Sequence, residues 1–120
     1  MSDAAPLRAW RFYVEDMVSF IDKALGYMNG VDRASFALDP MRYDATLRNL
    51  ELIGEAATHV PDEVRTTAPD VPWRLVVAVR NRLIHGYLGV NEDTLWSILR
   101  DDLPPLRVAL VRLLAQRPEE

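Results

Sequence analysis

One apolar stripe limits the fold of this chain more than any other feature of its sequence. Trp10, Val14, Met17, Ile21, Leu25 and Met28 recur at spacings of three and four, which puts them on one face of an α-helix. Asn29-Gly30 then stops the helix, since both residues tolerate left-handed φ. Asp39-Pro40 opens a second helix, with Asp39 as cap and Pro40 at the first helical position. Its stripe runs through Tyr43, Leu47, Leu50, Gly54 and Ala57 to about Val60, where Pro61 interrupts. Gly54 costs about 1 kcal/mol against Ala inside a helix, so its presence predicts a close helix–helix contact.

The remaining elements follow from the same signals. "PDEVR" predicts a short turn of helix and "TTAPDVP" a loop. Pro72 opens a third helix, "PWRLVVAVRNRLIH", which Gly86 is placed to end. Asn91 caps a fourth, and Glu92 and Asp93 suit its positive end. Pro104 and Pro105 should kink or split that helix before "LRVALVRLLAQ" completes it. The expectation is one all-α domain over residues 1–120, a four-helix bundle with short connections, an additional short helix and a Pro-kinked C-terminal helix.

Composition narrows the function classes. The chain has no cysteine, which removes disulfides and Cys-based zinc sites, and only two histidines, so no metal or cofactor is expected. It shows no basic-then-apolar leader and no run of some ~18 apolar residues, so a cytoplasmic protein without a membrane span is expected. A net charge of −4 argues against indiscriminate phosphate binding over the whole surface. A local basic site remains open, because the stretch from Trp73 to Leu88 holds Arg74, Arg80 and Arg82 and no carboxylate.

Within that stretch lies "RNRLIHGY", residues 80–87. Arg80 offers a permanent, forked positive charge for a phosphate group. His85, in the last helical turn, feels the negative end of the helix dipole while the arginines oppose protonation. A histidine near its ~6.5 reference value serves as acid or base close to neutrality. Five residues at about 100° each set Arg80 and His85 roughly 140° apart, so one ideal helix does not aim them together. Asn81 and His85, four apart, do share a face. Cations at a helix C-terminus often just satisfy the last carbonyls. This acid-free group, followed by the Tyr87 phenol beyond Gly86, weakens that explanation without by itself naming a reaction. Upstream, Glu55 in "IGEAA" could hold Arg80, although facing solvent is the commoner fate of a helical Glu. His59 is read as structural, Trp73 and Trp96 as packing residues, and Arg74 and Arg82 as phosphate-tracking or solvated charges.

The motif Arg-x4-His-x-Tyr in "RNRLIHGY" resembles that of the HepT-like toxins, a branch of the HEPN superfamily of α-helical ribonucleases. "RNLELIGEAA" at 48–57, "PWRLVVAVRNRLIHGYLGV" at 72–90 and "LWSILRDDLP" at 95–104 are similar to that family in the same order, from about Arg11 to Leu114. The resemblance implies a HEPN-type up-and-down four-helix bundle and a toxin of a type VII-like toxin–antitoxin module. It implies metal-independent endoribonuclease activity, with Arg80 and His85 catalytic and Asn81 and Arg82 in support or on phosphate. It implies a homodimer whose motifs face each other across a cleft. It further implies an MNT-type nucleotidyltransferase antitoxin that silences the toxin by AMPylation of Tyr87. The rival reading is a non-catalytic subunit that binds RNA or the nucleotidyltransferase; a helical dimerisation domain alone leaves the acid-free stretch unexplained.

Overall fold

The computed structural model describes residues 4–84 and 91–116, and these form helices and connections with no strand among them. The long helices are α1 (Ala4–Met28), α3 (Pro40–Thr58) and α5 (Trp73–Ile84). Two short helices, α2 (Arg33–Ala37) and α4 (Asp62–Arg65), lie in the connections. The fourth long element is α6 (Glu92–Ser97), a π-helical turn at Ile98–Asp102 and α7 (Leu103–Gln116), joined end to end. Helix α1 packs on α3 and α7, and α3 packs also on α5. The chain is therefore an all-α bundle of the HEPN type that the resemblance implies.

Local chemistry sets the boundaries. Helix α1 ends at Met28, and Gly30 turns the chain with φ 73°. The Asp39 carboxylate accepts from Arg42 N–H at 3.2 Å, with Pro40 at the start of α3. The Asn91 amide oxygen accepts from Thr94 N–H at 2.8 Å. Helix α2 did not emerge from the apolar pattern. It is five residues long, too short for a stripe, and is started by the Asp32 carboxylate on Ser35 N–H at 2.8 Å. Its Phe36 is buried, with its ring centroid 5.5 Å from that of Trp96 and 6.3 Å from that of Tyr43.

The predicted stripe of α1 enters the core through its first four residues, while Leu25 and Met28 are only half-buried against it. Trp10, Val14, Met17 and Ile21 are fully buried, against Leu47, Leu50, Ile53 and Ala57 of α3 and Leu106, Leu110 and Leu113 of α7. Each such large side chain contributes about 1.5–3 kcal/mol when fully buried. Trp73 is also buried, and its indole N–H donates to the Ala68 carbonyl at 3.2 Å.

Pro104 and Pro105 split the fourth helix without breaking it. A proline in a helix lacks the N–H for the i−4 carbonyl, and its ring crowds that carbonyl. Here the turn before them widens: Leu103 N–H donates to the Ile98 carbonyl, five residues back. Leu95, Leu99, Leu103 and Leu106 stay buried across the junction, so the inward face continues.

Gly54 marks the close approach predicted for it. A Cβ built there would lie 2.1 Å from Cβ of Arg80 and 3.1 Å from the Val76 carbonyl oxygen, both on α5. Helix α5 thus crosses α3 over a residue without a side chain. Gly54→Ala should lower stability by about 1–3 kcal/mol through overpacking, despite the ~1 kcal/mol that alanine gains in helix propensity. Urea unfolding measures it; a more stable alanine variant would contradict the contact.

Candidate functional site

The Gly54 crossing seats Arg80. Its stem presses on the bare backbone of α3, so the guanidinium emerges beside the next residue, Glu55. Arg80 Nη2 donates to Glu55 Oε1 at 2.5 Å, and Arg80 Nη1 donates to Asn81 Oδ1 at 2.9 Å. Its Nε–H is buried with no hydrogen-bond partner among the described residues. A guanidinium carries two hydrogens on each terminal nitrogen. Each terminal nitrogen makes one such contact among the described residues, and these leave one N–H on each that could meet an oxygen anion.

Glu55 is shared. Its Oε2 lies 3.3 Å from His59 Nε2, one helical turn further along α3. The His59 ring stacks on Tyr13 of α1, with centroids 4.6 Å apart and planes 16° from parallel. The hydrogen bond from Arg80 holds the Glu55 carboxyl below its ordinary range; the His59 contact acts in the same direction and burial only opposes them. Glu55 is therefore ionised at neutral pH and offsets part of the Arg80 charge.

Of the residues singled out in the sequence, the structure brings Arg80, Asn81 and Glu55 together. Glu55 follows the less common of its two alternatives and holds the arginine. Asn81 meets Arg80 itself. Arg82 is exposed on α5, as is Arg74. Arg82 borders an apolar groove of about 260 Å³ lined also by Leu50, Ile53, Leu75, Val76 and Val79. His85 and Tyr87 lie outside the described residues, as does Gly86.

Two members of the cluster were not legible as site residues. His59 carried a local signal, four residues after Glu55 on one helix face, but its link to Arg80 exists only once α3 and α5 cross. Tyr13 carried none, because its contact joins α1 to the end of α3. Among the described residues, no group of three His, Cys, Asp or Glu could hold a metal ion. Nor is any helix long and apolar enough to cross a membrane.

The Glu55–Arg80 pair is open to solvent, with the side chains 45% and 27% exposed. Such pairs contribute roughly 0.2–1 kcal/mol. Glu55→Gln should therefore cost no more than that in urea unfolding; a loss of several kcal/mol would make the pair a structural brace rather than part of a site.

Comparison with known proteins supplies the family. The family described as "Ribonuclease HepT-like" matches residues 17–113. A Thermococcus cleftensis protein named "Probable ribonuclease HepT" is 32% identical over 100 residues, covering 83% of this chain and 91% of its own. A "Putative RNase" of Caldanaerobacter subterraneus subsp. tengcongensis is 32% identical over 104 residues, covering 87% and 93%. Another "Putative RNase", from Methanocaldococcus jannaschii, is 32% identical over 95 residues, covering 79% and 87%. No solved structure matches significantly. With residues 17–113 matched by the family and relatives 32% identical over most of its length, the chain belongs to the HepT-like ribonuclease family.

Proposed function

We propose that this protein is a metal-independent endoribonuclease, the toxin of a toxin–antitoxin pair, acting in the cytoplasm. One observation supports the reading most: Arg80 is seated on Gly54 and anchored at both terminal nitrogens, in a chain of a ribonuclease family. An arginine fixed in this way meets a phosphate with little ordering left to pay for.

In this reading His85 removes the proton of a ribose 2′-OH or protonates the departing 5′-oxygen. The 2′-oxygen attacks the adjacent phosphorus, the bond to the 5′-oxygen breaks, and a 2′,3′-cyclic phosphate results. Arg80 stabilises the charge that grows on the non-bridging oxygens. Arg82 adds positive charge for the neighbouring backbone. DNA lacks the 2′-OH and is spared. Two chains pair so that Arg80 and His85 converge, which one ideal helix does not achieve. The apolar groove beside Arg82, with Leu75 59% exposed at its edge, offers surface for that pairing on the helix that carries Arg80.

Purified protein should cut RNA with EDTA present. Arg80→Ala should lower cleavage by roughly 10²–10³-fold. His85→Ala should lower it by roughly 10²–10⁴-fold, and both variants should keep their helicity. A strict need for added divalent metal, or full cleavage by either variant, would overturn the mechanism.

Tyr87 is the proposed switch. A nucleotidyltransferase antitoxin would move AMP from ATP to the phenol: the phenolic oxygen bonds to the α-phosphorus, pyrophosphate leaves and the phenolic proton is lost. The attached phosphodiester would dock on Arg80 through charge-assisted hydrogen bonds and obstruct RNA. Co-expression with the antitoxin should add AMP mass to the Tyr87 peptide and remove RNase activity. Tyr87→Phe should still cut RNA and resist silencing; equal silencing of both proteins would exclude Tyr87.

A further inference from the structure

We propose that His59 is a positioning residue for Arg80, acting through the Glu55 carboxylate and itself held by the ring of Tyr13. The proposal rests on the reading of Arg80 as the phosphate-binding group. It adds a second histidine to the site, one that does not touch the reacting atoms.

The geometry is a chain of contacts across three helices. Tyr13 on α1 stacks on the His59 imidazole at 4.6 Å. His59 Nε2 meets Glu55 Oε2 at 3.3 Å, and Glu55 Oε1 accepts from Arg80 Nη2 at 2.5 Å. The carboxylate is thereby fastened on both oxygens. With only Arg80 attached, it could turn about its last side-chain bond and hold Nη2 less firmly, leaving Asn81 as the one firm anchor of the guanidinium among the described residues. The neutral ring with its proton on Nε2 and the imidazolium both donate to Oε2, so the tether does not require a charged histidine.

The ordinary job of a histidine at this place is already done. His59 follows the last residue of α3, where an imidazole commonly satisfies helix carbonyls. Here the Ala57 carbonyl accepts instead from Arg65 at 2.7 Å, that of Ala56 from the His59 backbone N–H at 3.0 Å, and that of Glu55 from the Thr58 hydroxyl at 2.6 Å. Nor is His59 a core residue, for its side chain is 48% exposed. Among the described residues the His59 side chain meets the Tyr13 ring and the Glu55 carboxylate, and that carboxylate holds Arg80.

Two substitutions separate the donor from the ring. His59→Phe keeps a flat ring for Tyr13 and removes the donor; His59→Gln keeps an N–H donor and removes the ring. The first readout is the Arg80 Nε–H signal in nuclear magnetic resonance, assigned by its loss in Arg80→Ala. In His59→Phe it should shift and broaden toward that of a free arginine, and in His59→Gln it should return toward the parent. The second is RNA cleavage by the full, unmodified chain. His59→Phe should lower kcat by roughly 5- to 50-fold with KM within about twofold, and His59→Gln should recover to within about threefold of the parent. A Phe variant with parental signal and kcat would overturn the proposal, as would recovery by Phe but not by Gln. If Arg80→Ala cuts RNA as fast as the parent, the reading of Arg80 as the phosphate-binding group fails instead, while the resonance signal still reports whether His59 holds Arg80.

Discussion

The crossing of α5 over Gly54 is the contact on which the site depends. A side chain at position 54 would occupy the space of the Arg80 stem, so backbone approach and arginine placement are one event. The approach in turn needs α3 fixed from its other side, which the buried face of α1 provides through Trp10, Val14, Met17 and Ile21. Core packing thus sets the position of a charged group that is itself only partly buried. The ion pair with Glu55 then chooses the direction of the guanidinium, a weaker effect acting on a stem already in place.

How much of this was readable depended on the range of each signal. Asp39-Pro40 and Asn91 announced helix starts because a cap acts within three residues, and the structure shows those bonds. Asp32 makes the same kind of bond, but a helix of five residues has no periodicity to draw attention to it. The paired prolines signalled an interruption of the fourth helix. Its resolution as a π-helical turn required the buried face of Leu95, Leu99 and Leu103 to outweigh a full break.

The site was legible in part for the same reason. Gly54 pointed to a close approach, since an unfavourable residue in a helix asks for a compensating contact. Its partner could not be named, because Arg80 lies on another helix. Glu55 had two possible fates, and facing solvent was the commoner. Gly54 tips the balance: the glycine admits Arg80 to the position beside the carboxylate. The neighbouring residues Gly54 and Glu55 therefore belong to one device, the first making room and the second fixing orientation.

That device also bears on charge. The chain is acidic, at −4, and the stretch around Arg80 contains no carboxylate in sequence. The structure supplies one from α3, so the local field is less positive than the sequence alone suggests. An arginine beside Glu55 attracts anions less strongly at long range than an unpaired one, and gains in definition of geometry what it loses in charge. That exchange would suit the role proposed for Arg80, meeting one phosphate in a fixed orientation rather than collecting polyanions. On the proposed mechanism, long-range attraction would fall instead to exposed cations such as Arg74 and Arg82, whose positions need not be fixed because screened Coulomb forces are insensitive to small displacements. In that reading, precision and attraction are divided between differently anchored arginines on one helix.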